Sequence, residues 1–294
     1  MVDTLKQYID SSQKMFQELM TKCIATIDIP EQLKKSMLYS LEAGGKRLRP
    51  ILLLASFEAY SSNVEKAFSS ALAIEMIHTY SLIHDDLPAM DDDDFRRGLP
   101  TNHKVFGEAT AILAGDALLT YSFELIANDP LLTDKEKVYC LKQLSQASGP
   151  SGMVGGQILD MEAEKQTVTI EKMEKIHALK TGELLKFAVT VGAYLGKATD
   201  EQISHLQDYA YYLGLIFQVQ DDILDVIGDQ EKLGKAVGSD ESNDKSTYPK
   251  LLGLDGAMEM KNRYTEMAIN LLEKANANSS RLLELTNYVS ERDH

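Results

Sequence analysis

Two stretches concentrate carboxylates beside apolar helical sequence, SLIHDDLPAMDDDDFRRG at 81–98 and FQVQDDILDVIGD at 217–229. The first holds six aspartates, Asp85, Asp86, Asp91, Asp92, Asp93 and Asp94, followed by Arg96 and Arg97. Crowded carboxylates at the C-terminal end of a helix oppose its dipole, so a compensating cation is called for. His78 and Asp85 are seven residues apart and share a helical face, with Ser81 between them. Pro88 is expected to end or distort that helix near Asp86, letting Asp91 fold back toward Asp85. In the second stretch Gln218, Asp221, Asp222 and Asp225 fall at offsets 0, +3, +4 and +7, one stripe of a helix that also carries Val219, Ile223 and Leu224. Such a stripe is expensive unless a cation neutralises it. Carboxylate oxygens suit hard Mg²⁺, which takes one or two from a protein and the rest from phosphate and water. Two facing stripes would hold several Mg²⁺ ions with a diphosphate between them.

Basic residues stand where that chemistry wants them. GGKRLRP supplies Lys46, Arg47 and Arg49 in a glycine-flexed loop, and Arg96 and Arg97 follow the first aspartates. Lys180 and Thr181 are expected within a helix beside Gly182, while Lys235 and Lys245 follow the second cluster. Against 45 Asp and Glu there are only 30 Lys and Arg, so basic residues flanking each acidic motif read as anion clamps.

The elements that must position these groups are helices. Leu33, Met37 and Leu41 mark one face of a helix that stops at Gly44-Gly45, and Pro50 opens the next. A third is expected from about Val64 to Asp86, with further helices over 107–127, 134–147, 152–163, 170–195, 201–227, 256–274 and 279–291. The only strand-like alternation is QTVTI at 166–170. No linker-like composition interrupts the chain, so 1–294 is expected to be one all-α domain with too many helices for a four-helix bundle. The net charge of −15 argues against nucleic acid as a partner and requires any phosphate site to be built locally. No apolar run approaches the roughly 18 residues of a bilayer span. The first ten residues do not read as a secretory signal, and Cys23 and Cys140 lack metal or redox spacing, which fits the cytoplasm.

GGKRLRP, DDLPAMDDDDFRRG, KTG, FQVQDDILD and DKSTYP, in this order along essentially the whole chain, resemble the trans-isoprenyl diphosphate synthases. The resemblance implies an isoprenoid synthase fold, helices around a deep central cavity, and a homodimer. It implies that Asp85 and Asp91 ligate two Mg²⁺ ions and Asp221 a third, with Mn²⁺ a possible substitute, and that Asp86, Asp222 and Asp225 belong to the same motifs. Arg96, Lys180, Lys235 and Lys245 would grip the allylic diphosphate, and Lys46, Arg49, His78 and Arg97 would form the metal-free site for isopentenyl diphosphate. Lys180, Thr181 and Gln218 would lie beside the developing allylic cation, and Gln157 and Asp160 match another family motif as supporting residues. The C-terminal SERDH lacks the basic tail of some relatives, so no tail contact is expected.

The implied reaction joins isopentenyl diphosphate to dimethylallyl and then geranyl diphosphate, giving (2E,6E)-farnesyl diphosphate. Ionisation, attack by the isopentenyl double bond and proton loss need no protein nucleophile, so His78 is read as a phosphate donor. A terpene cyclase would carry mixed Asn, Ser and Glu in place of DDILD, and a non-catalytic partner subunit would lack the acidic motifs. Synthases of longer chains remain the alternative. Tyr80 and Ser81, five and four residues before Asp85, are the candidate floor for the growing tail: spacing favours Ser81, reach favours Tyr80.

Overall fold

The computed structural model describes residues 4–164, 166, 168–227, 246–277 and 281–292. Its contacts gather into two compact units, residues 1–54 with 65–141 and residues 55–64 with 142–294. The carriers of chemistry divide between them.

In the first unit α1 (Leu5–Ala25) starts at a capping box in which Thr4 and Gln7 satisfy each other's backbone N–H groups. Its buried face is Ser12, Phe16, Met20 and Ile24. Next come α2 (Glu31–Glu42), α3 (Leu48–Glu58) and, after a 3-10 turn at Val64–Ala67, α4 (Phe68–Asp85). Buried residues surround α4 on almost every side, from Ser70 to Ile77 and again at Thr79, Tyr80 and Ile83. It is a central helix that packs most extensively on α6 (Glu108–Ala127). Between them lie β1 (Phe95–Arg96), β2 (Leu99–Pro100) and the short α5 (Asn102–Phe106). The two strands pair antiparallel, Phe95 with Pro100 and Arg96 with Leu99. The turn residues Arg97 and Gly98 have φ of 55° and 78°, the left-handed pair that a tight hairpin requires. Then α7 (Asp134–Ser148) leads toward the second unit.

The second unit contains α8 (Met153–Ala163), α9 (Ile170–His177), a π turn at Ala178–Gly182, α10 (Glu183–Leu195), α11 (Asp200–Ile227), α12 (Tyr248–Lys274) and α13 (Arg281–Glu291). The most extensive packing is α11 on α12. Thr247 caps α12, and Gly253, at φ 74°, kinks it.

The all-α expectation holds, with local differences. No strand forms among the described residues of 166–170; the only pairing described is the 95–100 hairpin, too short for alternation to reveal. The helix expected over 170–195 is broken by the π turn. And α6 is long and apolar enough to cross a membrane by length and composition, although no single apolar run suggests it. Its apolar character comes from one face buried through Ala111, Ala114, Leu118 and Ile126, and another on which Ile112 and Leu113 are exposed.

Candidate active site

Within the first unit, α4 ends at Asp85 just before Pro88, and the chain folds back so that the Asp91 N–H donates to the Asp85 carbonyl at 2.9 Å. Asp91 is exposed, whereas Asp86 is buried and accepts from Arg96 Nε at 2.6 Å. Burial alone would lower the Arg96 pKa, but its bond to Asp86 and the charges of Asp86, Asp93 and Asp85 together overcome that and hold it above the usual arginine value. Asp94 pairs with Lys104 at 2.6 Å. Three of the crowded carboxylates are therefore answered by neighbouring cations, because Asp93 also lies 3.5 Å from Arg96.

The hairpin sends its adjacent arginines in different directions. Arg96, in β1, reaches Asp86, while Arg97, at the turn, donates from Nη1 to the Gly44 carbonyl. A Cβ on Gly45 would sit 2.5 Å from Arg97 Cζ, so the glycine makes room for the guanidinium. Arg97 thereby joins Arg47, Arg49 and His78. Burial pulls the Arg49 pKa down to about 10, Glu75 opposing and Arg97 adding to the fall, so Arg49 still carries its charge at neutral pH. Burial, then Arg49, Arg97, Arg47 and Arg96, depress His78 well below the ordinary histidine range. A neutral imidazole among arginines can donate one N–H to an anion and is a poor proton acceptor.

Within the second unit, a cavity of about 180 Å³ is lined by Asp160, His177, Lys180, Thr181, Gln218 and Asp222, among others. Lys180 and Thr181 project from the π turn, an irregularity that often marks functional positions. Lys180 Nζ donates to Asp160 Oδ2 at 2.6 Å, and Thr181 Oγ1 donates to Gln218 Oε1 at 3.0 Å. α8 lies against this turn so closely that a Cβ on Gly156 would come 2.7 Å from Lys180 Cα and 2.8 Å from the Leu179 carbonyl carbon. The α11 stripe differs in burial: Gln218 and Asp221 are half-buried, Asp222 and Asp225 buried. Asp222 Oδ2 accepts the Tyr248 backbone N–H at 2.9 Å, fastening the start of α12.

A model of the polyprenyl synthetase family matches residues 30–289, running through both units. The chain belongs to that family. It is 48% identical, over the whole length of both chains, to the farnesyl diphosphate synthase of Bacillus subtilis (strain 168). It is likewise 48% identical to the farnesyl diphosphate synthase of Geobacillus stearothermophilus, over 99% of each chain. The crystal structure of a geranyltransferase from Legionella pneumophila superimposes with a TM-score of 0.84 at 37% identity, covering 98% of this chain and 97% of that one.

Within this polyprenyl synthetase the structure alters some readings of the sequence. The C-terminal segment does make a contact: Arg292 Nη2 donates to Asp221 Oδ1 at 2.5 Å and to the Phe217 carbonyl at 3.1 Å. Its guanidinium lies 4.2 Å from the centre of the Phe217 ring, and its own carbonyl accepts from Gln220 Nε2 at 2.6 Å. Arg292 is the basic residue of SERDH. Gly156 is the other residue the sequence reading passed over, and the GG pair in GMVGGQILD was its signal. Tyr80 is buried, its ring edge-on to His84 with centroids 5.7 Å apart, and Ser81 Oγ donates to the His78 carbonyl. Lys235 and Lys245 lie outside the described residues.

No group of three or more His, Cys, Asp or Glu converges as a ready-made metal cage among the described residues. The donors still fit Mg²⁺, since Asp91 and Asp221 present partly or fully exposed carboxylate oxygens and this ion draws most ligands from phosphate and water.

Proposed function

We propose that the chain is a Mg²⁺-dependent trans-prenyltransferase that condenses isopentenyl diphosphate with dimethylallyl and then geranyl diphosphate, releasing diphosphate and (2E,6E)-farnesyl diphosphate. The observation that carries the reading is that Arg97, seated against Gly44 and Gly45, lies close enough to Arg49 and His78 to act on their charges, a gathering of donors that suits an anion. Together with Lys46 it accounts for a second diphosphate, which a condensing enzyme needs and a terpene cyclase does not. The full-length likeness to farnesyl diphosphate synthases supports the C15 product.

Asp85 and Asp91 are the residues we assign to two Mg²⁺ ions and Asp221 to a third, with Mn²⁺ able to substitute. Asp86, Asp222 and Asp225 belong to the same motifs, although Arg96 and the Tyr248 N–H already engage the first two. When bound, the metal supplies Lewis-acid stabilisation of the departing diphosphate. Arg96, Lys180, Lys235 and Lys245 grip the allylic diphosphate, the last two by sequence position alone. Thr181 and Gln218, bonded to each other, present fixed dipoles to the allylic cation. His78, held neutral, donates to isopentenyl diphosphate and leaves the product proton to the released diphosphate. We further assign 1–294 to one functional domain and the protein to the cytoplasm, and we expect a homodimer; isoprenyl diphosphates are its small-molecule partners.

The test is condensation in Mg²⁺ buffer from dimethylallyl and isopentenyl diphosphates, with products resolved by mass. A C15 diphosphate is expected; no condensation, or only C20 and longer products, would overturn the reading. Tyr80→Ala, given excess isopentenyl diphosphate, is expected to move products toward C20. An active variant that still stops at C15 would make Tyr80 ordinary core packing and turn attention to Ser81.

A further inference from the structure

Arg47 stands between Lys46 and Arg49 in GGKRLRP, yet its guanidinium is engaged by acceptors within the protein. It is buried, and its backbone has φ of 48°, the left-handed region that a non-glycine residue enters only when its surroundings insist. Those surroundings come from three helices. Nη1 donates to Glu75 Oε1 of α4 at 2.7 Å, and Nη2 donates to Gln17 Oε1 of α1 at 3.0 Å and to the Leu41 carbonyl in the last turn of α2. The Leu41 carbonyl is one that a helix end leaves without an intrahelical partner. The loop is pinned once more where Gln13 Nε2 donates to the Lys46 carbonyl at 3.0 Å, and the Arg47 carbonyl accepts from Ile51 in the first turn of α3.

We propose that Arg47 and Glu75 are the positioning pair of the isopentenyl diphosphate site, fixing the loop so that Lys46 and Arg49 are presented to the ligand. The inference rests on the reading of that site given above and adds residues that touch no substrate. Glu75 has a second part in it. It is buried beside Arg47 and close enough to Arg49 to support its charge, against the opposing influence of Arg97. One carboxylate among these arginines limits their mutual repulsion and leaves an excess of positive charge for a diphosphate. A planar fork reaching three acceptors is something arginine provides and lysine does not.

Two variants test it, each read by thermal unfolding and by calorimetric binding of isopentenyl and geranyl diphosphates separately. The double variant Arg47→Met with Glu75→Leu removes both charges together, a replacement that buried ion pairs often tolerate. It is expected to stay folded and to bind isopentenyl diphosphate about tenfold more weakly, with geranyl diphosphate binding unchanged within about twofold. Arg47→Lys keeps the charge and loses the fork; about fivefold weaker isopentenyl diphosphate binding is expected, and this variant decides the matter should the double variant fail to fold. Isopentenyl diphosphate binding at the parental strength in a folded variant, or equal weakening of both ligands, would overturn the proposal. A parent chain that binds neither diphosphate would instead overturn the functional reading on which it stands.

Discussion

Asp221 meets a cation before any metal arrives. The Arg292 side chain is 4% exposed while that of Asp221 is 40% exposed, so the ion pair is buried on one side and open on the other. That asymmetry decides how the aspartate should be tested. Alanine at 221 would strand a buried guanidinium and confuse folding with catalysis. Asp221→Asn keeps an acceptor for Arg292 while removing the charge assigned to Mg²⁺. It is expected to unfold near the parental temperature yet lose about 10²–10³ in turnover, the size seen when one preorganised electrostatic group is removed. EDTA should abolish condensation in the parent; undiminished turnover in EDTA would remove the metal from the mechanism. His78 allows a second measurement. Its folded pKa is depressed, so between the ordinary value near 6.5 and its own lower one the unfolded chain binds a proton that the native state refuses. Stability contributed by neutral His78 is therefore present above about pH 6.5 and lost as the pH falls below it, at up to about 1.4 kcal/mol per pH unit. Urea unfolding of the parent and of His78→Asn from pH 5 to 8 should show the parent curve falling more steeply on the acid side; parallel curves would refute this.

The same logic at the level of elements turns on α8 and the π turn. Helical periodicity predicts one helix over 170–195, and it is right about the apolar face of both parts, α9 and α10. It cannot see the wider turn at 178–182, because inserting a π turn changes which face Lys180 and Thr181 occupy without altering which residue types are present. Nor does α1 stand out in the sequence, for its buried row of Ser12, Phe16, Met20 and Ile24 opens with a serine. The π turn depends on Gly156, since a methyl there would strike the Lys180 and Leu179 backbone and cannot be relieved by a side-chain rotation. Gly156→Ala would gain up to about 1 kcal/mol of helix propensity, against about 1–3 kcal/mol for forcing packed backbone apart. Net destabilisation is expected, together with a rise in KM for geranyl diphosphate larger than that for isopentenyl diphosphate, because Lys180 and its bond to Asp160 move with the turn. A Gly156→Ala protein with parental melting temperature and parental KM values would show that α8 can yield at no cost.

At the scale of the whole molecule, the two acidic motifs with their basic neighbours are enough to read a Mg²⁺ and diphosphate site, and the family resemblance supplies the reaction. What sequence pattern could not supply was partner choice among charges: that Arg96 and Arg97 diverge at a hairpin, or that Arg292 returns to Asp221, depends on backbone turns far apart in the chain. Surface pattern, by contrast, carries a further consequence. On α6, Ala109, Ile112, Leu113, Asp116 and Thr120 recur at helical spacing and are all exposed, away from the buried row of Ala111, Ala114, Leu118 and Ile126. Leu113 is 59% exposed and Ile112 41%, unusual for adjacent large aliphatic residues on a helix with an apolar opposite face. A net charge of −15 would keep separate molecules apart unless such a face met its like. We propose that the homodimer expected from the family resemblance forms through this row, the same row of each copy taking part in a two-fold contact. Leu113→Asp would then bury a charge from each copy in that contact, while in the monomer residue 113 is already exposed. Sedimentation of the parent is expected to give about twice the chain mass of 32.7 kDa, and of Leu113→Asp the single-chain mass at micromolar concentration, with unchanged helix content. A parent that sediments as a monomer, or a variant that remains dimeric, would remove α6 from the interface.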